Sequence, residues 1–233
     1  LTCPGKSFGP YFNGTVRVRD DLLFLPLSVR KSTVFAVWTD LYHEKVEDEF
    51  IAKAFDIIDR CQEHTFLIIT KRAKRCADWH REAAYCDFPN AWHLFTVEDQ
   101  QRADERIPYL LEVPGNKGLL CEPLLSPLDL SAYMGKTVVI PGDRAEPYNM
   151  GIGCVLAGGE TGKKARSAHP DWFRDLRDQS EKAEIPFFFK GWGSNPHIDA
   201  YRSVPFVNAA MHGRDKGRIL DGYLHNYLPW RKP

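Results

Sequence analysis

Asp40 and His43 stand three residues apart in the segment WTDLYHE. That spacing suits a metal pair or a proton relay, because a carboxylate can orient an imidazole that titrates near neutral pH. One such pair does not complete a metal site. Lys71 and Arg72 follow in ITKR, with Lys74 and Arg75 close behind, and form the most basic local patch, suited to a phosphate or a carboxylate. Glu98 in TVED, Glu122 in LLCE and Lys190 in FFFK each close an apolar run. An ionised group so placed is costly unless paired or used, so Glu122 and Lys190 are expected to be buried and hydrogen-bonded. Gly158-Gly159-Glu160-Thr161-Gly162 follows another such run, where glycines let a backbone approach a ligand or turn its amides toward an anion. Its spacing matches neither a Walker loop nor a dinucleotide fingerprint. Thr39, Thr70 and Thr96 sit at the same kind of junction, and each alone is equally suited to capping a helix.

The remaining chemistry-bearing residues are scattered. Six cysteines (Cys3, Cys61, Cys76, Cys86, Cys121, Cys154) contain no CxxC pair and no second thiol within metal-ligand spacing, which excludes a zinc knuckle and argues against a disulfide framework. Of the other histidines only His169, just past the glycine-rich segment, is a plausible partner for a site, and its place before Pro170 equally suits a helix cap. Neither GxSxG nor HExxH occurs, so serine hydrolases and zincins gain no support.

What must position these residues is a recurring unit of one short apolar run and one amphipathic stretch. The runs are Val34 to Trp38, Phe66 to Thr70, Trp92 to Thr96, Gly118 to Glu122, Gly153 to Ala157 and Pro186 to Lys190. They start 32, 26, 26, 35 and 33 residues apart, close to the length of a strand, crossover helix and return loop. Val46, Phe50, Ile51, Ala54, Phe55 and Ile58 form one helical face between the first two runs. Another helix opens at Pro170, and Glu98 to Leu111 is helical by pattern despite Pro108. The expected fold is α/β, a parallel (β/α) barrel, complete or partial, with an irregular C-terminal tail; a doubly wound open sheet is the alternative. In either fold ligands gather at the carboxyl ends of the strands, where the polar residues above all lie.

Two segments break the rhythm. Pro141 to Gly153 reads as a loop or lid after a short strand at Thr137 to Ile140, and the tail from Gly191 ends in the hairpin dipeptide Asp221-Gly222 and is expected to wrap the barrel. With 233 residues, a single domain is expected, with a core over 15–193 and a wrap over 194–233. Lys plus Arg and Asp plus Glu both number 31, so any attraction to nucleic acid or anionic lipid must be local. Without an apolar run of about 20 residues or a leader pattern, no membrane partner and a cytoplasmic location are expected.

The segments WTDLYHE, EHTFLIITKR, TVED with the following RIP, LLCEPLLSPLDL, AGGETG with ARSAHPDWFRDLRDQ, and IPFFFKGWG, in this order, resemble an uncharacterised bacteriophage and prophage family that is similar to radical S-adenosylmethionine barrels. The likeness covers most of Thr15 to Gly193 and, more faintly, LDGYLHNYLP. Members of that family typically carry three cysteines near the N-terminus. Here Leu1 to Pro10 hold only Cys3, which cannot ligate a [4Fe–4S] cluster, so the cysteine loop is expected upstream of Leu1, the alternative being a member that has lost radical chemistry.

The resemblance implies a radical S-adenosylmethionine enzyme with an iron–sulfur cluster and S-adenosylmethionine as cofactors. Thr39, Gly158, Gly159 and Glu160 would then hold the cofactor, while Asp40, His43, Lys71, Arg72, Glu98, Glu122 and Lys190 would line the pocket for a small-molecule or nucleic-acid substrate. A second reading is a nucleic-acid-acting phage protein for base modification or repair, similar to spore photoproduct lyase, with Arg72, Lys74, Arg75 and Trp79 on the nucleic-acid backbone. A third is a non-catalytic barrel that binds an anion or a partner protein.

Overall fold

The computed structural model describes residues 16–37, 40–83, 88–135, 151–202 and 217–230. Six short strands, β1 (Val34–Val37), β2 (Thr65–Thr70), β3 (Ala91–Thr96), β4 (Asn116–Cys121), β5 (Val155–Gly158) and β6 (Phe187–Gly191), pair in parallel in the order of the chain. The helices between them are α2 (Asp48–Arg60), α3 (Ala73–Glu82), α4 (Gln100–Glu112) and α5 (Pro170–Lys182); a single turn, α1 (Asp20–Leu23), precedes β1, and α6 (Ile198–Arg202) follows β6. All six apolar runs are strands, displaced by at most two residues.

Because the strand order never reverses, every right-handed crossover places its helix on the same side of the sheet. That excludes the doubly wound alternative, whose strand order must turn back on itself. A sheet covered on one side curls away from its helices, and here it forms a half-barrel rather than a complete barrel. Six parallel strands fall short of the eight that close such a barrel, and among the described residues β1 and β6 do not pair.

The side-chain alternation sorts the strands onto two faces. Phe35, Phe66, Ile68, Ala91, Phe95, Leu119, Val155, Ala157, Phe187 and Phe189 join Ile51, Phe55, Ile58, Cys76, Ala77, Ile107, Leu110, Phe173 and Leu176 of the helices in one continuous core. Each fully buried Leu, Ile or Phe there contributes about 1.5–3 kcal/mol. Asp48 and Glu49 begin α2 and Arg60 ends it, signs that complement its dipole. Asp99 caps α4 by accepting from the Arg102 amide at 2.8 Å, and Pro170 opens α5 at its first turn, as its fixed φ favours. On the inner face a smaller cluster joins Leu67, Ile69, Trp92, Leu94, Leu120, Leu156 and Phe188.

The tail covers part of that inner face. A two-stranded hairpin, β7 (Ile219–Leu220) and β8 (Tyr223–Leu224), turns at Asp221-Gly222 with φ of 52° and 86°, the positive pair of a type I′ turn. Asp221 is held by Arg174 and Arg177 of α5. The Phe189 amide then donates to the His225 carbonyl at 3.0 Å, which places the tail on the free edge of β6. Leu228 enters the inner cluster, and Trp230 meets the ring of Trp92, near the start of β3, edge-on at 5.1 Å. The tail therefore covers the amino end of the half-barrel through Leu228 and Trp230, while its first described residues lie at the carboxyl end of β6, where the Trp192 amide donates to the Gly217 carbonyl at 3.1 Å and Arg218 lies over the Phe188 ring. The expected strand at 137–140 and most of the expected loop lie outside the described residues.

Candidate functional site

The residues following β1, β2 and β3 assemble one charged network at the carboxyl edge. Asp40 accepts from the Thr70 hydroxyl at 2.6 Å, the Tyr42 amide at 3.2 Å, the Lys71 amide at 3.3 Å and Arg72 Nη1 at 2.6 Å. Arg72 also reaches Glu44 at 2.8 Å. Glu98, buried, pairs with Lys71 and with Arg106 Nη1 at 2.8 Å, and Arg106 donates at 2.6 Å to the Thr96 carbonyl. Thr70 accepts in turn from the Arg72 amide at 2.9 Å, which closes a turn just ahead of α3 rather than capping it, since the N-cap position of that helix is Arg72 and has no side-chain cap. This network ties three strand ends together, and Asp40 is fully engaged in it.

His43 stands apart from that arrangement. Its Nδ1 accepts from the Lys45 amide at 3.1 Å, and its only hydrogen bond to Asp40 among the described residues runs between backbones at 3.1 Å. The DxxH spacing therefore builds a turn rather than a metal pair. The basic patch is neutralised locally: Lys74 pairs with Asp78, and Arg75 with Asp48 and the Val46 carbonyl. Trp79 is buried against Phe55, so it offers no face to a nucleic-acid base.

A second group lies over β4, β5 and β6. Glu122 and Lys190 meet at 2.6 Å on the inner face, on either side of Gly158, where an added Cβ would touch both side chains. The Glu122 side chain is 16% exposed, whereas that of Lys190 is 42% exposed. The expected burial thus holds for the carboxylate only: Gly217 packs on the end of β6 at Gly191 and Trp192, yet the Lys190 side chain stays accessible. Glu160 turns away into a bidentate pair with Arg166, which holds its carboxyl down at about 2. Gly159 has a packing reason: a Cβ there would collide with the Trp192 carbonyl and the Gly193 amide. Thr39 lies outside the described residues.

An iron–sulfur cluster of the implied kind needs three converging thiolates. Cys61, Cys76, Cys121 and Cys154 are all buried, burial raises each thiol above its ordinary range, and among the described residues no three of them come together. They do not fit a cluster. Cys3 and Cys86 lie outside the described residues.

Sequence reasoning missed Glu44 and Arg106 in the edge network, and it missed a buried group under α2 and α3. Tyr42, His80 and His93 converge there with Cys76, and burial drops His80 to about 4 and His93 well below its ordinary value. The one available signal was the i, i+4 spacing of Cys76 and His80 on a helix.

A family model described as "Protein of unknown function (DUF5131)" matches residues 4–229. No curated protein and no solved structure matches the chain.

Proposed function

We propose, for a chain that belongs to the DUF5131 family, that the open carboxyl end of the half-barrel binds a small zwitterionic cofactor, and that this cofactor is S-adenosylmethionine, as the resemblance to radical S-adenosylmethionine barrels implies. The Glu122–Lys190 pair carries this reading. It offers one carboxylate and one ammonium side by side, the complement of an α-amino acid group, on the inner face at the carboxyl edge of the sheet, with the ammonium side chain 42% exposed. Lys190 would donate to the cofactor's carboxylate and Glu122 would accept from its ammonium, exchanging one internal ion pair for two shared ones. In the neighbouring network of Asp40, Arg72, Lys71, Glu98 and Arg106 every charged group already has an internal partner of opposite sign, so its part is to hold the strand ends in place.

Radical chemistry on this cofactor needs a reduced cluster, which the described cysteines do not hold, and the reading extends to cofactor binding and orientation only. Isothermal titration with S-adenosylmethionine tests it. Saturable binding is expected, weakened at least tenfold, about 1.4 kcal/mol, in both Glu122→Gln and Lys190→Met. Absence of binding at millimolar cofactor, or binding by either variant as tight as that of the unsubstituted chain, overturns it.

A further inference from the structure

Beneath α2 and α3, on the helix-covered side of the sheet, three separate elements aim polar atoms at a single point. Tyr42 lies in the loop after β1, Cys76 and His80 lie one turn apart on α3, and His93 lies on β3. All four are buried, enclosed by Phe55, Trp79 and Phe88. Tyr42 Oη is 2.9 Å from His80 Nε2 and 3.3 Å from His93 Nε2, and the two Nε2 atoms are 3.0 Å apart. Cys76 lies beside Tyr42, and the Cys76, His80 and His93 ligand atoms all lie within 4.8 Å of one another.

We propose that Cys76, His80, His93 and Tyr42 form a buried binding site for one divalent ion of the zinc class. An N2SO donor set with imidazole and thiolate suits zinc and its cobalt substitute. With metal–nitrogen bonds of about 2.0–2.1 Å, the edge of a tetrahedron between two nitrogens is about 3.3 Å. The observed spacings of 2.9, 3.0 and 3.3 Å need only a few tenths of an ångström of expansion to reach it. Cys76 and His80 at i, i+4 face the same way from the helix, and His93 meets them from the sheet.

The tautomers point the same way. Among the described residues the Nε2 atoms of His80 and His93 contact only each other and Tyr42 Oη, and neither Nδ1 has a hydrogen-bond partner, so no group outside the cluster competes for the Nε2 lone pairs. Burial also keeps both rings neutral, the form in which imidazole ligates. The other convergent group, His169, His197 and Asp199, lacks this property. There each Nδ1 accepts from a backbone amide, at 3.2 Å in both cases, which leaves the proton of the neutral ring on Nε2. Lys117, buried nearby, disfavours added positive charge at both rings. Binding therefore releases the Cys76 thiol proton and the Tyr42 hydroxyl proton, so that thiolate, phenolate and dication sum to a neutral centre.

The test uses the full 233-residue chain, refolded with zinc or cobalt and dialysed. About one ion per chain is expected by mass spectrometry, and the cobalt form should show a near-ultraviolet thiolate-to-cobalt band with the visible bands of a tetrahedral ion. Cys76→Ser should abolish the thiolate band, and His93→Gln should lower the metal content at least tenfold. Cys121→Ser, a buried thiol outside the group, and His169→Gln should leave both readouts unchanged. Should the variants fail to fold, the wild-type spectrum still decides. A wild-type chain with less than about a tenth of an ion and no thiolate band, or a Cys76→Ser chain that keeps that band, overturns the site.

Discussion

On the helix-covered face His93 and Lys117 stand among Phe55, Phe95 and Leu119 with almost no exposure, while on the inner face Lys190 stands at an open strand end beside Glu122. The same alternation of one strand residue up and one down delivers both sets. What differs is the cover: α2 to α5 pack along one side, whereas on the other, among the described residues, the tail packs at the amino end and along the β6 edge and leaves the Lys190 side chain 42% exposed. A polar group on the sealed side can act only through groups already packed around it. One on the open side can exchange its partner for a ligand, which is why the two faces support different chemistry.

The largest test of this contrast removes cover from the sealed side. Phe55 packs on Trp79, Phe88, His80 and His93 and is fully buried. Phe55→Ala should lower stability by about 3–5 kcal/mol in urea unfolding, because it opens a cavity and admits water to the polar group. A loss below about 1 kcal/mol would mean that the helix layer is not the seal described.

The next effect is a pH dependence of the metal-free chain, measured in chelator. The unfolded His80 titrates near 6.5 and the folded one near 4, so between those values the unfolded state binds more protons. Stability should be constant above pH 6.5 and fall by up to about 3 kcal/mol as the pH drops to 4, with His93 adding in the same direction. A flat profile across that window would place both imidazoles in contact with water.

Much of this architecture can be read from residue order. The six strands, the start of α5 at Pro170 and the Asp221-Gly222 turn all follow from period, φ preference and spacing, which are local properties. Closure of the barrel is not local: it depends on how many strands curl and where the edges end. The same limit hid the buried group. Cys76 and His80 share a helix face, but whether His93 points to the same side depends on the phase of β3 against its neighbours, and period 2 alone leaves two choices. Spacing also overstated the site at Asp40 and His43, since the carboxylate that orients a catalytic ring and the one that closes an Asx turn have the same sequence signature.

A smaller effect concerns the tail. Asp221 receives hydrogen bonds from Arg174 and Arg177, which hold its carboxyl below the usual range, and it anchors the hairpin that leads to Leu228 and Trp230. Asp221→Asn should lower stability by about 1–2 kcal/mol and expose the indole of Trp230, read as a red shift in fluorescence and faster proteolysis after residue 217. Unchanged proteolysis would show that the contact of the tail with β6 suffices without the turn.

The smallest effect on stability should come from Glu122 and Lys190, and this is where the contrast is sharpest. With Lys190 more than a third exposed, water screens the pair, so Lys190→Met should change the unfolding free energy by less than about 1 kcal/mol. On the sealed side, replacing a charged group in a comparable pair is costly, because the partner is left without solvent. Removing the ammonium at the open end strands Glu122 only partly, since its carboxylate keeps 16% of its surface in contact with water. Unfolding and titration on the same variant separate the two roles. A variant of normal stability that no longer binds S-adenosylmethionine identifies Lys190 as a ligand contact. One that loses several kcal/mol shows instead that the pair closes the inner face as the helices close the other, and the open end is then a structural seam.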